Sequence, residues 1–403
     1  MRRHARSYLV GSCLVLLALA AAKGVGQAPD PQAFQERIRA AGARMESAGL
    51  AAPFKGVTTN GTVEPKLFEI RSTGVSTEPV LRTAGAFLKT LNATQRAKTV
   101  FAVDHPEWRK WANQHSYFRE GVSFEEMAPA QREAALAMLG ASLSAKGLKL
   151  SRDIMRLNET LGELNGNNFV EYGEHKYWIT IMGEPSATEP WGWQLDGHHL
   201  IVNYFVLRDQ VVMTPAFWGS EPTVATSGKF AGTAILQDEQ AKGLAMVRAL
   251  SEEQRGKAVL QSPKTGNNIL TQAFSDNVVL DYAGVKVSTF SAAQKKQLLD
   301  LVGLYVGNLR EGHARVHLSD VEKRLDDTYF AWIGETKDDS VYYYRVHSPV
   351  LLIEFDHETP VGLRGRYPAG VPYREHIHAV VRTPNGNDYG KDLLRLHYQQ
   401  HPH

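Results

Sequence analysis

The sequence predicts an α+β fold that is internally duplicated, with helices followed by a mostly antiparallel, strand-rich portion in each half. The first observation is size and composition: a chain of 403 residues, 43% hydrophobic and 22% charged, can form the cores of several domains or of one large duplicated unit. The second is a set of sequence blocks that recur in the same order. The third is that helical patterns precede strand patterns in each half, which favours antiparallel pairing within the α+β class.

The first 22 residues are expected to be a targeting segment. Arg2, Arg3 and Arg6 precede the apolar run YLVGSCLVLLALAAA, a pattern typical of a secretory signal peptide. We therefore predict a cleaved peptide over residues 1–22 and a periplasmic or secreted protein. The single cysteine, Cys13, lies in that peptide, so the mature protein is predicted to have neither disulfides nor thiolate chemistry.

Charge and hydropathy exclude two kinds of partner. The formal net charge is +2, and removing the three leader arginines takes it to −1. Without a basic run, the chain lacks the electrostatic footprint of a nucleic-acid-binding protein. No segment after the leader is long and apolar enough to predict a stable membrane span. Residues 23–81 are predicted to be a helical lead-in, with FQERIRAAGARMESAGLAA as its helix.

The two halves are placed at residues 82–228 and 241–397. Matching positions are offset by 159 to 163 residues, and specific residues recur along with the hydrophobic pattern. This recurrence favours a tandem duplication over two stretches that merely alternate helices and strands alike. The matched pairs are, in chain order, Gln95 with Gln254, Gln131 with Gln294, FVEYGE (169–174) with FAWIGE (330–335), and Asp196 with Asp356.

The second half contains the strongest candidate site. Alternation along VLLIEFD places Glu354 and Asp356 on one face of a strand, and alternation along EHIHAVV places His376 and His378 on one face of another. If these strands are neighbours, two carboxylates meet two imidazoles. Such a set suits Zn²⁺, Mn²⁺ or Fe²⁺, or forms an acid–base cluster without metal. Asp388 is a further candidate ligand.

The first half contributes WQLDGHHLIVNY (193–204), in which two histidines stand side by side. Read as a strand, this stretch sends His198 and His199 to opposite faces. We assign His199 as a candidate metal ligand and His198 as a candidate catalytic group. Gln194 stands where the second half has Glu354. The difference fits one functional half with one supporting half, and it fits equally a composite site between the halves.

Other polar and aromatic residues give candidate ligand contacts. Trp191 and Trp193, in the Pro- and Gly-rich stretch GEPSATEPWGW, are candidates either to stack on a ligand ring or to hold that loop onto the core, and Trp218 is a further candidate ligand contact. Arg345 is predicted to hold an anionic substrate or to pair with Glu354. Two weaker expectations are that Glu221 acts as an acid and that His105 and His115 lie solvated on a polar helix.

Several of these blocks together resemble the domain-of-unknown-function 3500 family, a set of mostly bacterial proteins, many of them exported. The resemblance covers nearly the whole mature chain and implies that GHH and the HIH…NDYG segment belong to the family pattern. It implies no activity. The blocks are GEPSATEPWGWQLDGHHLIVNY, TPAFWGSEP, LLIEFD, HIHAVVRTP and NDYGKDLLRLHY.

The leading functional hypothesis is an exported, metal-dependent hydrolase that acts through an activated water. Its metal ligands are drawn from His199, His376, His378 and Asp388, and its catalytic groups from Glu354, Asp356 and His198. One alternative is an iron- or copper-dependent oxidoreductase. Another is a non-catalytic secreted module that binds a sugar or peptide, with structural histidines.

Overall fold

The computed structural model describes residues 31–401, so the predicted signal peptide and Cys13 lie outside the described residues. Within residues 31–401 there are ten α-helices and thirteen β-strands, which confirms the α+β class. The helices are α1 (Pro31–Gly49), α2 (Glu78–Thr90), α3 (Ala93–Thr99), α4 (Pro129–Ser142), α5 (Ala145–Leu164), α6 (Gln237–Arg248), α7 (Glu252–Ala258), α8 (Ala292–Val306), α9 (Glu311–Glu322) and α10 (Lys391–Gln400). The strands are β1 (Val100–Phe101), β2 (Val122–Ser123), β3 (Tyr177–Met182), β4 (Trp191–Gly197), β5 (Leu200–Leu207), β6 (Gln210–Val212), β7 (Ala216–Ser220), β8 (Val259–Gln261), β9 (Val285–Lys286), β10 (Tyr329–Gly334), β11 (Tyr342–His347), β12 (Leu352–His357) and β13 (Ile377–Arg382).

All thirteen strands belong to one sheet. The main order is β1-β3-β4-β5-β7-β13-β12-β11-β10-β8, with β2, β6 and β9 paired to β3, β5 and β10. Only β1 with β3 and β8 with β10 pair in parallel, and the other pairings are antiparallel, as predicted. At the centre, β7 from the first half of the chain pairs with β13 from the second, and Gly219 stands opposite His378.

The glutamines that align between the halves do the same structural work in each. Asn92 caps α3 and Ser251 caps α7, and in both helices the glutamine three residues later bonds back to the cap, forming a capping box. Gln131 Nε2 donates to Thr90 O over 2.8 Å. Gln294 Nε2 likewise donates to Ala249 O over 2.8 Å, so Gln131 and Gln294 each tie the start of one helix to the end of another.

The sheet has two differently covered faces. One face packs against the helices α2, α4, α5, α6, α8 and α9 through a large apolar core that includes Trp193, Trp218 and Phe355. The other face is covered by irregular segments and α10, with Trp108 and Phe217 in its smaller core. The candidate site lies on this second face, where backbone and side-chain polar groups approach the strands.

Two local features differ from the sequence prediction. FVEYGE (169–174) forms turns, whereas FAWIGE (330–335) covers β10, so these two blocks do not occupy equivalent elements. DHPEWRKWANQH forms only a short 3-10 helix at Pro106–Arg109 because Trp108 and Trp111 turn inward and are fully buried. Across residues 31–401, none of the helices combines the length and the apolar character needed to cross a bilayer.

Candidate metal centre

Three histidines from both sides of the central strand pair converge on one point. His199, His376 and His378 are buried, with 6%, 1% and 7% of their surfaces exposed. Their Nε2 atoms lie 2.9 Å apart for His199 and His378, 3.0 Å for His376 and His378, and 3.3 Å for His199 and His376. These three residues form a group that can hold a metal ion.

His199 reaches this point because the sequence GHH forms a turn instead of continuing a strand. Gly197 ends β4 and pairs with Leu200 at the start of β5, which leaves the two histidines as a two-residue hairpin turn. His199 has φ = 60°, an uncommon conformation for a residue with a Cβ. Consequently the prediction that the two imidazoles face opposite sides is wrong: they stack, with centroids 4.0 Å apart.

Backbone contacts fix the turn against its surroundings. The His199 N–H donates to Asn113 O over 3.1 Å, and the Gly219 N–H donates to His199 O over 2.9 Å. The Tyr177 hydroxyl donates to His198 O over 3.0 Å. The turn is therefore held by the 112–119 segment, by β7 and by β3 at the same time.

The outer ring nitrogens of two of the histidines face acceptors. His376 Nδ1 lies 2.7 Å from Thr359 O, and a carbonyl can only accept, so this nitrogen carries the proton. His378 Nδ1 lies 3.4 Å from Glu358 Oε1. With its proton on Nδ1, His376 directs its Nε2 lone pair at His378 Nε2, whereas His378 Nδ1 is near Glu358 without a hydrogen bond. A ligating imidazole in a metal site typically donates its other N–H to a carbonyl or carboxylate, as His376 does to Thr359 O.

The spacing of the nitrogens suits a small divalent ion. Zinc–nitrogen bonds of about 2.0–2.1 Å in tetrahedral geometry place ligand nitrogens about 3.3 Å apart. The three observed separations of 2.9–3.3 Å are close to that value. Three protein ligands around a four-coordinate ion leave one position for water or substrate, which is the arrangement of catalytic zinc sites.

The electrostatics of the centre favour neutral imidazoles at His199 and His376 beside an ionised Glu358. Burial lowers the pKa of His199 well below the ordinary histidine value, and four neighbouring histidines lower it further. Burial and His378 also lower the pKa of His376. Burial alone would raise the pKa of Glu358, but nearby positive groups, led by His378, hold it below its usual value. The lone pairs of His199 and His376 are therefore available near neutral pH.

The two predicted strand carboxylates lie on the same sheet face as the histidines, with Asp356 directly opposite His378. Their oxygens, however, bind the segment that covers this face. Glu354 accepts from Leu270 N and Thr271 N, both at 3.0 Å, and from the Tyr343 hydroxyl at 2.7 Å. Glu354 and Asp356 therefore hold residues 268–271, the segment that covers this face, against the sheet.

Asp356 forms a separate buried pair with Lys264, and the two charged groups are 2.7 Å apart. It also accepts from Asn268 N. The neighbouring Asn267 Oδ1 accepts from Thr359 N over 2.9 Å, and Thr359 is the residue whose carbonyl orients His376. The covering segment thus connects Asp356 to the histidine ligands through the backbone.

The remaining predicted site residues lie elsewhere. Asp388 accepts from Thr383 N over 2.7 Å and pairs with the fully buried Arg382. Arg345 is buried and donates to Asp281 O over 3.2 Å. Trp191 and Trp193 are fully buried in the helical core of the sheet, so neither ring is open to a ligand in this packing.

His198 forms the wall beside the ligand His199. Its Nδ1 lies 2.8 Å from Asn158 Oδ1, whose amide nitrogen donates to Gly173 O, so the ring nitrogen is the donor. His115 packs edge-on against His198 at 5.3 Å between centroids and lies 3.5 Å from Glu171. The expectation that His115 lies solvated on a polar helix is therefore wrong.

Sequence reasoning missed Glu358 and Thr359. Glu358 continues the alternation of Glu354 and Asp356 by two more residues, so its presence on the same side had a detectable signal. Thr359 acts through its carbonyl, which leaves no side-chain signal. Glu221, considered as an acid, accepts from three backbone N–H groups of residues 361–363 and from the Tyr373 hydroxyl, and lies 3.9 Å from His376 Nδ1.

Comparison with known sequences gives one family. The family described as "Protein of unknown function (DUF3500)" matches residues 73–391, which include the three histidines and all thirteen strands. No curated protein and no solved structure matches the chain.

Proposed function

The chain belongs to the DUF3500 family, and from that premise we propose that it is an exported metal-dependent enzyme whose divalent ion is bound by His199, His376 and His378. The reaction we propose is hydrolysis by a water molecule at the fourth coordination position. A bound divalent ion makes hydroxide available near neutral pH and polarises a carbonyl or phosphoryl oxygen. The substrate is a small molecule, a sugar derivative or a peptide.

The convergence of the three Nε2 atoms is the observation that supports metal binding. The Nε2 of His376 carries a lone pair, because its Nδ1 donates to Thr359 O, and this lone pair faces the Nε2 of His378 across 3.0 Å. Opposed lone pairs at this distance repel unless a proton or cation lies between them. A divalent ion satisfies all three nitrogens at once, whereas a single proton satisfies only one pair.

A nearby buried carboxylate supports a cation at the triad. Glu221 and Glu358 are 2% and 4% exposed and lie next to the outer nitrogens of His376 and His378. Glu221 is offset by three backbone N–H donors and the Tyr373 hydroxyl, which leaves the Glu358 carboxylate beside His378. Uncompensated buried charge is costly, so the Glu358 carboxylate favours a cation at the triad.

Donor chemistry narrows the metal. Three imidazoles without a thiolate suit Zn²⁺, Mn²⁺ or Fe²⁺, and zinc in a three-histidine site is an established hydrolytic arrangement. Iron or copper in the purified protein would favour the oxidoreductase alternative. The binding-module alternative depends on exposed tryptophans, whereas Trp191, Trp193 and Trp218 are at most 1% exposed.

The test is metal content measured against a matched control. We expect about one divalent ion per chain by elemental analysis in the wild type, and loss of that ion in His376→Ala and His378→Ala variants that keep their circular dichroism spectrum. His347→Gln is the control, since His347 is equally buried in the same sheet but lies outside the triad. Absence of metal from the wild type, with no thermal shift on adding Zn²⁺, Mn²⁺, Fe²⁺ or Cu²⁺, contradicts the proposal.

We propose export and tandem duplication as two further properties. Export rests on the leader pattern over residues 1–22. Duplication is supported by the glutamine bonds that recur in each half: Gln294 Nε2 donates to Ala249 O as Gln131 Nε2 donates to Thr90 O, each over 2.8 Å. The sheet order is also compatible with two halves joined at β7 and β13. Intact mass of protein recovered from the periplasm or medium of an expressing bacterium tests removal of the leader.

A further inference from the structure

Glu358 is buried beside the metal ligands without an obvious structural role for its carboxylate. Its backbone is already paired, because its N–H donates to His376 O over 2.8 Å and its carbonyl accepts from Tyr373 N over 3.1 Å. The turn after β12 therefore does not need the side chain. A buried carboxylate requires a donor or a cation to offset its desolvation.

The lysine beside this carboxylate, Lys264, contacts other acceptors. The Lys264 ammonium contacts Asp356 Oδ1 at 2.7 Å, Asn268 Oδ1 at 2.7 Å and the carbonyl of Gly266. Two of its N–H donors make hydrogen bonds, to Asn268 and Gly266, and the contact with Asp356 is an ion pair without hydrogen-bond geometry. Lys264 acts on Glu358 through its charge. The partner that remains is His378 Nδ1, 3.4 Å from Glu358 Oε1.

From this geometry we infer that Glu358 is the positioning residue of the metal centre: it holds the Nδ1 proton of His378 and so directs the Nε2 lone pair at the ion. The inference rests on the proposed metal-binding function. Outer carboxylates of this kind orient the ring, raise the basicity of the ligand and typically account for about 10–100-fold in metal affinity. Thr359 O has the corresponding role for His376, through a carbonyl that substitution cannot remove.

The other buried carboxylate near the triad has a different role. Glu221 accepts three backbone N–H groups and a tyrosine hydroxyl, so its charge is already offset by donors of the 361–373 segment. Its nearest histidine nitrogen is His376 Nδ1 at 3.9 Å, and that nitrogen is bonded to Thr359 O. The contrast assigns the positioning role to Glu358 and a loop-anchoring role to Glu221.

The experiment measures zinc affinity of the full chain by competition with a chromophoric chelator. We expect Glu358→Gln to bind Zn²⁺ about 10–100-fold more weakly than wild type, and Glu358→Asp to recover part of that loss. The visible spectrum of the Co²⁺-substituted protein should also change in Glu358→Gln, because the His378 ring is no longer fixed. Glu239→Gln is the matched control: Glu239 is 3% exposed and pairs with Lys146 on α5, in the helical layer. It should bind Zn²⁺ as wild type does.

The outcomes separate this inference from the proposed function. Wild-type protein that binds none of the tested metals contradicts the metal-binding proposal itself. Wild-type protein that binds Zn²⁺ tightly, with Glu358→Gln of equal affinity and unchanged Co²⁺ spectrum, overturns the role of Glu358 alone. If Glu358→Gln fails to fold, long-range ¹⁵N correlation spectra of zinc-loaded wild type decide, because His378 should be protonated at Nδ1 and metal-bound at Nε2. A His378 bound through Nδ1 overturns the inference.

Discussion

The imidazoles of His198 and His199 stack at 4.0 Å with 25° between their planes, although only His199 points its Nε2 at the other two histidines of the triad. The stack follows from the two-residue turn, in which neighbouring side chains leave the sheet on the same side. His198 is anchored by Asn158 instead of by the triad. In this pair, His199 is therefore the candidate metal ligand, and His198 packs beside it as part of the wall of the site.

This division predicts opposite results for one substitution at two adjacent positions. His199→Phe keeps an aromatic ring in the stack but removes a ligand, so metal content should fall at least tenfold. His198→Phe keeps the stack and all three ligands, so metal content should stay at the wild-type level. Elemental analysis of both variants after equal dialysis measures the difference. Equal loss in both variants would falsify the assignment of His198 as a wall residue.

Removing the Glu354 carboxylate should weaken the fold without removing the metal. Glu354 is fully buried and accepts bonds from residues 270 and 271 and from Tyr343, so Glu354→Ala leaves several buried donors unpaired. We expect a loss of about 3–5 kcal/mol in the free energy of unfolding, measured by urea denaturation. Zinc bound per folded chain should remain near wild type. A stable variant that loses zinc indicates that Glu354 is a ligand and contradicts its role in holding the covering segment.

A methyl group at Gly219 should separate the central strands. A Cβ there would lie 2.4 Å from Ile377 O, and backbone atoms of a central strand cannot move aside easily. We expect Gly219→Ala to lower the free energy of unfolding by about 1–3 kcal/mol and to weaken zinc binding, because Gly219 bonds to His199 and faces His378. Gly256→Ala in α7 is the control: its Cβ meets nothing within 4 Å, so it should be neutral or stabilising.

Glu107 should make stability fall as pH rises. Burial raises the pKa of this carboxyl from about 4.5 to about 8, with further upward contributions from nearby carboxylates and a downward one from Lys110. Because the folded-state pKa exceeds the unfolded value, the stabilisation is full below about pH 4.5 and is lost as pH rises through about 8. Urea denaturation from pH 5 to 9 should show wild type losing stability relative to Glu107→Gln. A constant difference across that range contradicts the prediction.

The sequence predicted the elements of this fold better than the way they meet. Alternation correctly placed Asp356 and His378 on one sheet face, because period-two patterns survive in buried antiparallel strands. It failed at GHH, since a two-residue turn interrupts the alternation without a Pro or an Asn-Gly signal to mark it. The partnership of His199 with His378 could be predicted only as one of two alternatives, a composite site between the halves, because 179 residues separate them and the pairing of β7 with β13 brings them together.

The chemistry of the carboxylates was equally hidden from sequence. Glu354 and Asp356 have the residue types and spacing of ligands, but a carboxylate binds whichever donors are nearest. Here those donors are backbone N–H groups of residues 268–271, which lie more than eighty residues earlier in the chain. Trp191 and Trp193 illustrate the same limit, because strand β4 extends into a stretch that had the composition of a loop.

The pairing of β7 with β13 forms a boundary between the two halves of the chain, and the triad is assembled across this boundary. His199 comes from one side of that boundary, and His376 and His378 come from the other. If the chain were cut between β7 and α6, neither fragment would contain all three ligands. Tight metal binding by a mixture of the two fragments would then show that they had associated through β7 and β13. A substitution that weakens the pairing of β7 with β13 would therefore disturb the metal centre as well, so selection for the centre also preserves the strand pairing.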